Sequence, residues 1–86
     1  MPVISTFFGI VVRMFYQDHD PPHFHAEYQG QHGKFDFAGC LIVGEIRSRN
    51  AKALIRKWVL LHADDLEANW ERMKAGERLE RVEPLE

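Results

Sequence analysis

Residues 7–16 read FFGIVVRMFY, and the period assigned to this run sets the fold class. Its β-branched and aromatic content favours a strand over a helix. One alternate set, Phe8, Ile10, Val12, Met14 and Tyr16, is wholly apolar, whereas the other contains Gly9 and Arg13. A single strand is expected, with the even-numbered residues buried and Val11, Arg13 and Phe15 turned outward.

Working outward from this run, QDHDPP (17–22) must be a turn. Asp before Pro-Pro is held out of the helical region, and neither proline can donate to a ladder. HFHAEY (23–28) then alternates cleanly, with Phe24, Ala26 and Tyr28 on one face and His23, His25 and Glu27 on the other. QGQHG reads as a turn, KFDF as a strand with Phe35 and Phe37 inward, AGC as a hairpin signal and LIVGEI as a short last strand. Strands at about 7–16, 23–30, 33–38 and 41–46, joined by short turns, make a three- to four-stranded antiparallel meander.

Beyond residue 48 the period becomes helical, to about residue 75. Ser48 or Asn50 can cap the start and Gly76 can end the helix. At about 100° per residue, Ala51, Leu54, Ile55, Trp58, Val59, Leu61, Leu66, Trp70 and Met73 share one half of the circumference. Asp64 and Glu67 resemble a capping box, but the apolar arc keeps its phase past them, so one long helix from about 49 to 75 is expected. His62 falls within the arc, with Asp65 or Asn69 to hold its ring. In the polar tail ERLERVEPLE (77–86), Val82 and Leu85 are the anchors. The fold class is therefore α+β: one domain over residues 1–86, a meander with one long C-terminal helix packed on one face.

A chain of 86 residues has room for one core, and six Phe, two Trp and two Tyr supply it. The formal charge of −2 provides no global field toward nucleic acid. Locally, RSRNAKALIRK (47–57) carries five positive charges and no negative one. Cations at a helix start oppose the macrodipole, so Arg47, Arg49, Lys52 and Arg56 are candidate contacts for an acidic protein surface or an RNA or DNA backbone. A solvated helix flank has the same composition. Cys40 is the only cysteine, which excludes an intramolecular disulfide, and it reads as a small, semi-buried residue. FFGIVV is too short to span a bilayer and no basic segment precedes it, so a cytoplasmic protein without membrane contact is expected. An open edge strand and the outward Val11 and Phe15 make a homodimer plausible.

DHDPPHFHA (18–26) holds three of the five histidines. His23 and His25, two apart in a strand, project from one face. Three chemistries suit that pattern. The pair can share a divalent metal such as zinc, with His19, Asp18 or Asp20 across the proline turn as third ligand. Alternatively, His23 and His25 can act as base and acid on a ribose 2′-hydroxyl and its leaving oxygen, with Arg13 or Lys34 on the phosphate. Or the segment is a turn and a docking strand.

MPVISTFFGI (1–10), DHDPPHFHA and WVLLHADDLEANW (58–70), with a tail ending VEPLE, resemble a family of short bacterial proteins known as a domain of unknown function. The resemblance covers nearly the whole chain. Its one departure is Asp65, where the family's LHxxEL element commonly has Glu. Genes of that family often lie beside a second small gene in a toxin–antitoxin-like arrangement. The resemblance therefore implies a small cognate protein partner, with the active principle near His19, His23 and His25. Two functions stand open: the toxin side of such a pair, cleaving RNA, and a non-catalytic interaction or regulatory module.

Overall fold

In the computed structural model, which describes residues 2–86, the run at 7–16 is not one strand. It is divided between β1 (Val3–Phe7) and β2 (Ile10–Arg13). The turn between them is Phe8–Gly9, with φ of 49° and 79°, the paired positive values that a type I′ hairpin requires. Gly9 takes that conformation at little cost, whereas Phe8 takes it as a side-chain-bearing residue. Phe8 is consequently 58% exposed instead of inward. Tyr16, also expected inward, is exposed beyond the end of β2, while Ile10, Val12 and Met14 are fully buried.

The same turn recurs at Gln29–Gly30, again with φ of 49° and 79°. It ends β3 (His23–Tyr28) and starts β4 (Gln31–Asp36) earlier than the QGQHG reading placed them. Asp36 shapes the next turn, its Oδ1 accepting from the N–H groups of Ala38 and Cys40 at 2.9 Å each. That turn leads into β5 (Leu41–Gly44), which is shorter than expected. The sheet has five strands in the order β1-β2-β3-β4-β5, all antiparallel. The meander is thus as read, with one strand more. Cys40 is exposed in its turn, not semi-buried.

Helix α1 (Arg49–Lys74) crosses the apolar face of the sheet. Ser48 is its cap, with Oγ accepting from the Ala51 N–H at 3.0 Å. At the other end Gly76 has φ 73°. Its N–H donates to the Met73 carbonyl while the Glu77 N–H donates to that of Arg72, a Schellman ending. Trp58 is the centre of the core: fully buried, it lies 5.3 Å from Phe7 and 5.7 Å from Phe24, ring to ring.

The helix is continuous past Asp64 but kinked at His62 (φ −126°, ψ 25°). His62 is half-buried against Trp58, with Nδ1 3.3 Å from Asp65 Oδ2. Leu61, expected in the arc, is 64% exposed. The buried residues centre on Ile55, Leu66 and Met73, so the arc's Leu61 margin lies beyond the sheet.

The tail is docked. Val82 and Leu85 are buried, and the Val82 N–H donates to the Ile4 carbonyl on the outer edge of β1 at 2.7 Å. Asn69, fully buried, holds Glu80 through both amide atoms. One edge of the sheet is therefore covered by the chain's own tail. No helix among the described residues is long and apolar enough to cross a membrane.

Candidate metal centre

The strand register places the outer face. Arg13 on β2 is opposite His25 on β3, His25 is opposite Lys34 on β4, and Lys34 is opposite Val43 on β5. Arg13, His25 and Lys34 therefore form one row across the sheet. His23 belongs to the same face but begins its strand at the sheet's end. The loop that carries Asp18 and Pro21 closes over it there, and Trp70 of α1 lies 5.3 Å from its ring. An outward residue thus becomes a buried one, with His23 only 5% exposed.

Three possible ligand atoms converge there. Asp18 Oδ2 lies 3.0 Å from His23 Nε2 and 3.2 Å from His25 Nε2. The candidate ligand atoms of Asp18, His23 and His25 all fall within 4.8 Å of one another. His23 Nδ1 is 2.8 Å from the Pro21 carbonyl. A carbonyl can only accept, so Nδ1 carries a proton and Nε2 is the ring nitrogen turned toward Asp18. That Nε2 is buried and makes no hydrogen bond, although Asp18 Oδ2 lies 3.0 Å away. A ring nitrogen and a carboxylate oxygen this close need positive charge between them, a proton or a metal ion.

Burial pushes the His25 imidazolium pKa down, outweighing the hydrogen bond and charge of Asp18, which act the other way. For Asp18 burial acts to raise the pKa, but the His25 hydrogen bond and the charge of His23 outweigh it and hold the carboxyl below its usual range. A neutral imidazole thus donates from Nε2 to an ionised carboxylate, and a metal ion at this position would take the place of that proton. Phe15 shields this pair, its ring meeting that of His25 edge-on at 4.4 Å. Asp20 is tied to the helix by the Trp70 Nε1–H, at 3.3 Å.

Of the residues singled out in the sequence, the structure brings His23 and His25 together. His19 is exposed and is not in the ligand group, where Asp18 takes the third place. His19 instead lines a pocket of ≈190 Å³ beside the cluster, with Lys34 and the edge residues Ile42 and Val43. Arg13 is engaged, donating to Glu27 at 2.8 Å. The basic residues belong to another region: Lys52 and Arg56 line a separate groove with Cys40 and Leu41. Arg47 and Arg49 are exposed, and Arg47 lies 3.8 Å from Glu45. The sequence reading missed the Pro21 carbonyl, whose position two residues before His23 was the available signal.

The protein is thus a small α+β meander with a two-histidine, one-carboxylate cluster at the end of its sheet. The profile of DUF4160, a domain of unknown function, matches residues 9–71, and the chain belongs to that family. No curated protein and no solved structure matches it.

Proposed function

We propose that this chain binds one divalent transition metal, zinc or a similar ion, at Asp18, His23 and His25, and that this centre is its working site. The observation that carries the reading is the buried His23 Nε2, which has no hydrogen-bond partner and belongs to a group of three possible ligand atoms within 4.8 Å of one another. The spacing supports it. Tetrahedral zinc with ligands at about 2.0–2.1 Å has ligand–ligand edges of about 3.3 Å, against 3.0 and 3.2 Å between Asp18 Oδ2 and the two imidazole nitrogens. The Pro21 carbonyl is the outer partner that metal-binding histidines ordinarily have. Three protein ligands leave a position for water or substrate, the arrangement of a hydrolytic or Lewis-acid site.

An acid–base pair needs two histidines that reach different oxygens of one phosphodiester. Here both Nε2 atoms face the same carboxylate oxygen, which favours a shared ion over separate proton transfers. A toxin-side role in a toxin–antitoxin-like pair, with RNA as the target, accords with such a centre. The test is metal content after chelation, reloading with zinc and exhaustive dialysis. The wild type is expected to retain one equivalent, and His23→Ala and His25→Ala almost none. Wild-type protein without zinc would sink the reading.

A second reading, an interaction module, is favoured by the basic flank of α1. Among the described residues, Arg49, Lys52 and Arg56 have no carboxylate within ion-pair distance. If they contact phosphates, Arg49→Ala/Arg56→Ala should flatten the salt dependence of binding to a single-stranded RNA oligonucleotide by about 1.4 in log–log slope. Zinc content should not change. An unaltered slope would remove this flank from any nucleic-acid surface.

A further inference from the structure

The pocket beside the cluster contains a cation that the metal centre does not use. Lys34 projects from β4 on the outer face, directly opposite His25 in the register. It is half-buried, and among the described residues no carboxylate lies within ion-pair distance of it. A partly desolvated ammonium without a counter-ion is unfavourable unless a ligand supplies one. The pocket it lines is shared with Asp18, Asp20 and His23.

We propose that this pocket is a phosphate subsite, in which one phosphoryl group bridges the open position of the metal and the Lys34 ammonium. The inference rests on the metal centre proposed above and names the class of ligand it takes. Charge makes the two interdependent. Without metal, the carboxylates of Asp18 and Asp20 outnumber the Lys34 ammonium in the pocket lining, which disfavours an anion. A divalent ion adds two positive charges and reverses that balance. Anion binding therefore requires the loaded centre, and by linkage the anion tightens metal binding by the same factor.

Size narrows the ligand further. A volume of ≈190 Å³ falls below the roughly 300–1,000 Å³ of pockets that enclose a whole organic molecule. The subsite accommodates the phosphate of a larger ligand and leaves the remainder outside. The rim is apolar: Ile42 and Val43, 45% and 56% exposed, stand on the strand that forms the open edge of the sheet. A phosphodiester strand lying along that edge would present one phosphate to the centre and its sugars and bases to this rim.

The experiment uses the full chain loaded with one equivalent of zinc, desalted, and titrated with inorganic phosphate by calorimetry. Phosphate is expected to bind the zinc-loaded protein and not the metal-free protein. Lys34→Gln should weaken phosphate binding at least tenfold while zinc content stays at one equivalent. Lys57→Gln, at an exposed lysine outside the pocket, should change nothing. Zinc bound without phosphate binding, or a Lys34→Gln variant that binds phosphate like the wild type, overturns the subsite and leaves the metal centre standing. A wild type that takes up no zinc overturns both.

Discussion

Zinc at a hundred times its dissociation constant is expected to raise the melting temperature of the wild-type chain by roughly 10–20 °C, and that of an Asp18→Asn variant hardly at all. The size follows from mass action. A ligand at that excess, bound only by the folded state, adds about 2.7 kcal/mol. For a domain this small each kilocalorie moves the midpoint by about 4–8 °C. Folding brings the three ligands together from a turn and a strand, so the unfolded chain has no comparable site. The Asn side chain has the shape of the Asp but lacks the anion that joins the two imidazoles. Acidification should shrink the wild-type shift, because protons compete for the same ligand atoms. His32→Gln, at an exposed histidine on β4 outside the cluster, serves as the control and should keep the full shift. Equal shifts in the Asp18→Asn variant and the wild type would place the zinc elsewhere.

The sequence reading succeeded where one periodicity held over many residues and failed where the chain turned tightly. HFHAEY alternates without a break, and its inner residues Phe24 and Ala26 are both buried. The helix was framed by signals with a mechanism, Ser48 at one end and Gly76 at the other. FFGIVVRMFY hid its turn because the even-numbered apolar set runs through Phe8 without interruption. The usual marker of a type I′ turn is Asn-Gly or Asp-Gly, and neither Phe-Gly nor Gln-Gly carries that short polar residue. Gly9 was the only local hint, and a lone glycine in a strand reads equally well as an outward position.

The site was half legible for a different reason. Spacing two apart put His23 and His25 on one face, and the register kept them there. Which member of Asp18-His19-Asp20 would join them depended on how the double proline returned the loop, and no periodicity governs that path. The outcome spreads the three residues apart. Asp18 reaches the imidazoles, Asp20 is bonded to Trp70, and His19 is exposed. The burial of His23 was equally remote from the local sequence, since Trp70 comes from the far half of the helix.

Asn69→Ala is expected to destabilise the fold by about 2–4 kcal/mol, a sizeable part of the 5–15 kcal/mol typical of a whole domain. Asn69 is fully buried on the helix face that meets the tail. Its Nδ2 donates to the Glu80 carbonyl at 2.7 Å, and its Oδ1 accepts from the Glu80 N–H and from Arg72, both at 2.9 Å. Truncation leaves the Glu80 N–H and carbonyl, both in part-buried hydrogen bonds, without their partner, at up to about 1–3 kcal/mol where water does not replace it. The loss does not stop there. The segment that Glu80 begins places Val82 on the edge of β1, the Glu83 carbonyl on the Trp58 indole and Leu85 in the core. Peeling it away exposes two apolar side chains and the indole at the centre of the fold. The urea midpoint of Asn69→Ala measures the total, and hydrogen exchange at the Val82 amide reports whether the tail detaches before the sheet. Asn69→Asp keeps the acceptor but sets a second oxygen against the Glu80 carbonyl, so it should be no better than Ala. A variant within 0.5 kcal/mol of the wild type, on the scale of an ordinary surface change, would mean that the tail holds by Val82 and Leu85 alone.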